Sequence, residues 1–220
     1  LSIIILLLLP SSLFAQEILT SQDFCDRVSD RYAEIVDYTA EISVINDEAT
    51  YSGELFYRKP NFLRINFDEP EEQVLVSDGE ILQIYIPRYN VVLKQPLLQE
   101  EGPGPATMAN AEGRELMRKN YSIAFLDCPE PVPLEEGSEE MVTKLRLTWR
   151  STNEGYRQLT LSIGEDLLIR RIVGVTINFT EVQFDFSNVK LNQNIPVARF
   201  DYEPPSSANT YADFLFEREN

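Results

Sequence analysis

The alternation of apolar and polar residues changes period twice along the chain, and the changes mark its elements. Thr20 to Asp23 set a hydroxyl and an acid at the start of a run in which Phe24, Val28, Tyr32, Ile35 and Val36 recur at helical spacing. That spacing predicts an amphipathic helix of about four to five turns with one stripe to bury. From Tyr38 the period drops to two, with Ala40, Ile42 and Val44 alternating against Glu41 and Ser43. Residues 51–95 then read as five strands in a row, broken at Pro60-Asn61, Pro70, Asp78-Gly79 and Pro87. Connections this short cannot make parallel crossovers, so an antiparallel meander is expected.

Asp78-Gly79, taken as a two-residue type I′ turn, would set Ser77 opposite Glu80, Val76 opposite Ile81 and Leu75 opposite Leu82. Val74, Val76, Ile81 and Tyr85 then share one side of the hairpin; Leu75, Leu82, Ile84 and Ile86 share the other. Both sides are apolar, so each needs a cover or an apolar guest. After the Gly102 to Pro105 loop, residues 106–119 read as a short helix or two helical turns, with Ala109, Gly113, Leu116 and Met117 on one face. Residues 128–140 form a Pro-rich acidic loop. Strand patterns return over 142–149, 156–163, 167–174 and 176–188, and residues 192–205 are expected to close the sheet edge. The fold class is therefore mainly β: roughly ten antiparallel strands, too many to lie flat, curling into an incomplete, half-open barrel with helices across its concave side.

Composition narrows this. Apolar residues make up 43% of the 220, which fits one globular domain. Residues 1–14 carry no charge, and Ile3 to Leu9 fit the core of a secretory leader, cleaved after Ala15. The remainder, 16–220, reads as a single exported domain that is soluble in the periplasm. Formal net charge is −17, which repels phosphate backbones and argues against nucleic-acid binding. Cys25 and Cys128 can pair in an oxidising compartment or remain buried thiols. Cys25 has no small apolar run before it, so it does not read as a lipid-anchor cysteine.

The chain has no histidine, which removes imidazole bases and imidazole–zinc sites. Carboxylate pairs such as Glu71-Glu72 sit in acidic loops where solvation suffices. No catalytic residue, metal site or cofactor is expected. The remaining feature is an apolar concavity, either an ordinary core under the first helix or a site for lipid chains, and the pattern leaves both open.

An ordered series of short pieces adds to this: Arg58-Lys59-Pro60-Asn61-Phe62, Asp68-Glu69-Pro70, Val76-Ser77-Asp78-Gly79, Tyr85-Ile86-Pro87 and Phe186-Ser187-Asn188-Val189-Lys190-Leu191-Asn192. In that order they resemble the bacterial periplasmic lipoprotein carrier family (LolA-like). The resemblance implies an incomplete barrel closed by a helical lid, a monomer that takes acylated lipoproteins from an inner-membrane ABC transporter to an outer-membrane acceptor. It places Leu63, Ile65, Phe67, Val74, Val76 and Tyr85 around the acyl cavity and Ala109, Leu116 and Met117 on the lid. The family often has an arginine before the strand-end proline, bonded to lid backbone. Here Lys59 stands there as the latch candidate, without arginine's planar fork. The alternative function is an envelope sensor or assembly module of the same fold.

Overall fold

The computed structural model describes residues 19–47, 49–97, 119–150 and 155–212. The expected leader and the lid residues Ala109, Leu116 and Met117 lie outside them. Helix α1 (Ser21–Glu34) opens with a reciprocal capping box between Thr20 and Asp23, whose amide reaches Thr20 Oγ1 at 3.1 Å. It buries Phe24, Cys25, Val28 and Ser29. Because Ile35 is already extended, the stripe ends there, and Val36, expected on it, is 53% exposed.

The strands are β1 (Asp37–Asn46), β2 (Thr50–Arg58), β3 (Phe62–Glu69), β4 (Val74–Asp78), β5 (Ile81–Ile86), β6 (Val91–Pro96), β7 (Tyr121–Phe125), β8 (Val132–Pro133), β9 (Met141–Trp149), β10 (Tyr156–Gly164), β11 (Ile169–Thr176), β12 (Glu181–Leu191) and β13 (Asn209–Ala212). They form one sheet in the order β13-β6-β5-β4-β3-β2-β1-β12-β11-β10-β9-β7, with β8 pairing β9 beside β7. All neighbours are antiparallel except β13, which runs parallel to β6. Among the described residues β7 and β13 are not paired to each other, so the expected open, mainly antiparallel architecture with an N-terminal helix is what forms.

Three local expectations give way to turn chemistry. The β4–β5 hairpin pairs Ser77 with Leu82 and Val74 with Tyr85, two residues out from a tight type I′ register. Asp78 Oδ1 accepts from the amides of Glu80 at 2.9 Å and Ile81 at 2.7 Å, stretching the loop. A shift of two keeps every side chain on its face. Residues 177–180 make a turn between β11 and β12, where a continuous strand was expected. Residues 192–205 do not close the sheet edge but run across one face of it, and β13 makes the edge instead.

Two faces follow from the register. The inner face carries α1: Phe24 and Val28 pack with Leu145, Leu147, Leu161 and Ile163, while Ile35 joins Tyr38, Leu55, Tyr57 and Ile65. On the outer face Ile195 and Phe200 pack on Phe56, Val74 and Val76. Tyr32 fastens α1, its hydroxyl accepting the Ile169 amide at 3.1 Å. Burial pushes its pKa up to about 12, against the pull of that amide; burial raises Tyr57 to about 12 as well. A phenol that ionises at about 12 when folded and 10 when unfolded contributes its full stability below pH 10 and loses it as pH rises through 12. Unfolding free energy is therefore expected to fall by up to about 1.4 kcal/mol per pH unit in that window from Tyr32. Denaturation at stepped alkaline pH checks this, and Tyr32→Phe should flatten the slope.

Candidate functional site: the apolar inner face

The turns sort to two ends of the sheet. The β2–β3, β4–β5 and β10–β11 turns lie at one end, the β1–β2, β3–β4, β5–β6 and β11–β12 turns at the other. Helix α1 keeps to the first end. Phe24 meets Phe125 at the close of β7 (6.0 Å between ring centroids), Tyr32 meets the start of β11, and Lys59 Nζ donates to Ala33 O in the helix's last turn. A cation suits the negative end of the helix dipole, and burial lowers the Lys59 pKa. Lys59, the latch candidate, is thus engaged with α1, while Arg58 points to the other face and donates to Ile195 O. The lid partner expected for Lys59 lies outside the described residues.

Beside the N-terminal half of α1, Phe24 and Arg27 line a gap of about 200 Å³ with Met141, Ile163 and Leu167, but under the C-terminal end of the helix the packing is close. The gap lined by Tyr32, Ile35, Tyr38, Leu168 and Phe186 measures about 20 Å³, room for a water and not for a chain. Beyond the helix the inner face continues. Leu75, Ile84 and Leu93 are cross-strand partners in one row, Ser77, Leu82 and Gln95 in the next, and Ile86 pairs Val91. Cross-strand partners share a face, and Leu75 packs with Ile65 and Tyr57, which fixes the face as inner. The inner positions of β4, β5 and β6 hold no charge. Leu75, Leu82, Ile84, Ile86 and Leu93 are half-buried, as are Val44, Phe67 and Phe184 beside them. Gly53, opposite Phe67, has no room for a side chain: an added Cβ would sit 2.2 Å from Asn66 O.

The six residues expected around one cavity are split. Leu63, Ile65 and Phe67 are on the inner face. Val74, Val76 and Tyr85 are on the outer one, because Asn66 pairs with Val74 and so puts it opposite Ile65 and Phe67. Val74 and Val76 are buried beneath Ile195 and Phe200 and line no cavity with β3. Their neighbours Leu75, Leu82, Ile84 and Ile86 take the inner places. The alternation within the hairpin was legible; the parity of the β3–β4 connection, which decides which half faces in, was not.

Cys25 and Cys128 are both thiols, outside any disulfide. Cys25, on the buried side of α1, is 4% exposed, and Cys128 Sγ donates to Glu130 O at 3.7 Å, so the two are not bridged. Among the described residues no three His, Cys, Asp or Glu side chains are grouped to hold a metal ion, and no helix is long and apolar enough to cross a membrane.

The family model for "Outer membrane lipoprotein carrier protein LolA" matches residues 44–203, from the last residues of β1 to the segment across the outer face. The chain belongs to the LolA family. The LolA match takes in β3 to β6, whose inner face lies beyond α1, while α1 precedes it. Proteins named outer-membrane lipoprotein carrier protein from Azotobacter vinelandii and Methylibium petroleiphilum are 25% and 26% identical. The first match covers 72% of this chain and 70% of the relative, the second 73% and 72%. Among solved structures, an uncharacterised conserved protein from Thermus thermophilus superposes with a TM-score of 0.55 at 16% identity, over 87% of this chain and 98% of that one. MucB, from the MucA/MucB complex of Pseudomonas aeruginosa, gives 0.51 at 10% identity, over 86% of this chain and 62% of that one. These likenesses carry the fold alone.

Proposed function

We propose that this LolA-family chain is a periplasmic carrier that shields lipoprotein acyl chains against the inner face of β3 to β6. It moves lipoproteins from an inner-membrane ABC transporter to an outer-membrane acceptor and acts as a monomer without enzymatic activity. One observation carries the reading: beyond the reach of α1 the inner face of β4, β5 and β6 is apolar and holds no charge, with Leu75, Leu82, Ile84, Ile86 and Leu93 half-buried and Ser77 and Gln95 buried. Burial of acyl chains contributes about 0.8 kcal/mol per methylene, so about eight covered methylenes supply about 6 kcal/mol. The names of the relatives agree with this chemistry.

The test is native mass spectrometry of the protein, purified from the periplasm of an expression host, with a synthetic triacylated lipopeptide. One lipopeptide per chain is expected. Phe67→Glu, beside Tyr51 at a centroid distance of 6.3 Å, should release it while the fold persists. A clean unliganded mass at every lipopeptide concentration would sink the carrier reading and favour a sensor or assembly module.

A further inference from the structure

Two of the most exposed apolar side chains among the described residues, Phe179 at 73% and Tyr89 at 66%, stand on separate turns at one end of the sheet. It is the end α1 leaves uncovered. Each has an arginine against its ring: Arg157 at 4.1 Å from the Phe179 centroid, Arg88 at 5.7 Å from that of Tyr89. Arg157 also lies 6.0 Å from the ring of Trp149, and Ile177, on the same turn as Phe179, is 54% exposed.

The backbone makes Phe179 stand out further. The β11–β12 turn is closed by Phe179 N to Thr176 O at 3.1 Å and Thr176 N to Thr180 O at 2.9 Å. This leaves Phe179 at φ +65°, the left-handed region that glycine or asparagine occupies readily and a bulky side chain does not. The fold gains little from a ring that is three-quarters exposed. A strained, solvated aromatic braced by an arginine is a feature of a contact surface.

We propose that this end docks on the headgroup layer of a zwitterionic lipid bilayer. Phe179, Ile177 and Tyr89 enter the boundary between headgroups and acyl chains, and Arg157 and Arg88 reach lipid phosphates. Aromatic rings with an apolar body beside a snorkelling cation suit that boundary. Two turns carrying the same pair give a two-point contact with a plane. The charge distribution selects the lipid. Asp68 and Glu69 at the end of β3 and Glu71 and Glu72 on the turn after it are exposed at this same end, so an anionic surface is repelled and a neutral one is not. The inference goes beyond the carrier reading, and its test contains no lipoprotein, so the two fail separately.

Trp149 is the chain's single tryptophan and lies within this cluster, which gives the experiment its probe. The full protein is mixed with phosphatidylethanolamine–phosphatidylcholine vesicles whose acyl chains carry bromine, and Trp149 quenching is read beside vesicle flotation. Quenching and co-flotation are expected on neutral vesicles, weakening when phosphatidylglycerol is added at low salt. The double variant Ile177→Ser, Phe179→Gly should bind about tenfold more weakly or worse. Its thermal midpoint should hold or rise, because glycine relaxes the turn. No binding to neutral vesicles, equal binding by the double variant, or tighter binding to anionic vesicles would each overturn the proposal.

Discussion

Glutamate in place of Ile84 or Leu93 should abolish lipopeptide binding, whereas glutamate in place of Lys94 should leave it intact. Ile84 and Leu93 are cross-strand partners on the apolar inner face; Lys94, next in sequence to Leu93, pairs with Gln83 on the outer face. A carboxylate set among acyl methylenes loses its hydration without gaining a partner, at a cost of about 2–4 kcal/mol. That corresponds to a loss of about thirtyfold or more in affinity. Both inner positions are only half-buried, so the empty protein should fold, and a thermal midpoint for each variant verifies it. Titration with a fluorescent triacylated lipopeptide distinguishes the faces. Loss of binding in Lys94→Glu as well would mean that the chains contact the outer face or the sheet edge, contrary to the register.

The second large effect is on stability. Asp37→Ala should cost about 3 kcal/mol, because one buried carboxylate anchors the segment that crosses the outer face. Asp37 is 1% exposed; its two oxygens accept from Gln193 N at 2.6 Å and Ile195 N at 3.2 Å, and its backbone oxygen accepts from Asn192 N at 2.7 Å. Hydrogen bonds to a charged acceptor are worth about 1.5–3 kcal/mol, and alanine strands two donors in a buried place. The segment has further ties. Arg64 Nη1 donates to Arg199 O at 2.9 Å, and Phe200 packs on Phe62 with centroids 5.3 Å apart. The expected picture is thus a weakened native state with faster amide exchange at Gln193 and Ile195. Asp37→Asn, which keeps one acceptor, should lose less. A cost below about 1 kcal/mol for Asp37→Ala would assign the anchoring to burial of Ile195 and Phe200 instead.

The segment across the outer face also explains why the hairpin was ambiguous in sequence. Val74 and Val76 are apolar because Ile195 and Phe200 cover them from more than a hundred residues away. Leu75, Ile84 and Leu93 are apolar for another reason, as the inner floor. A strand covered on both sides shows no polar face, so alternation cannot say which side looks inward. Cys25 shows the same limit. Its place on the helix stripe was compatible with a thiol or a disulfide, and only the packing of α1 against β7 to β11 shows it as a buried thiol.

What the sequence determined by itself is local. The capping box at Thr20, the period-3.6 stripe to Ile35 and the turn residues at Pro60, Pro70, Asp78-Gly79 and Pro87 set the elements, their antiparallel order and the open sheet. These depend on neighbours a few residues apart, whose dihedral preferences and side-chain spacing are written in the chain. Tertiary structure alone decided which face is inner, how far α1 reaches along it, where residues 192–205 lie, and that Phe179 stands at an exposed tip. Each of those depends on contacts between distant segments, and one residue more or less in a connection reverses the outcome, because side chains on a strand alternate with a period of two.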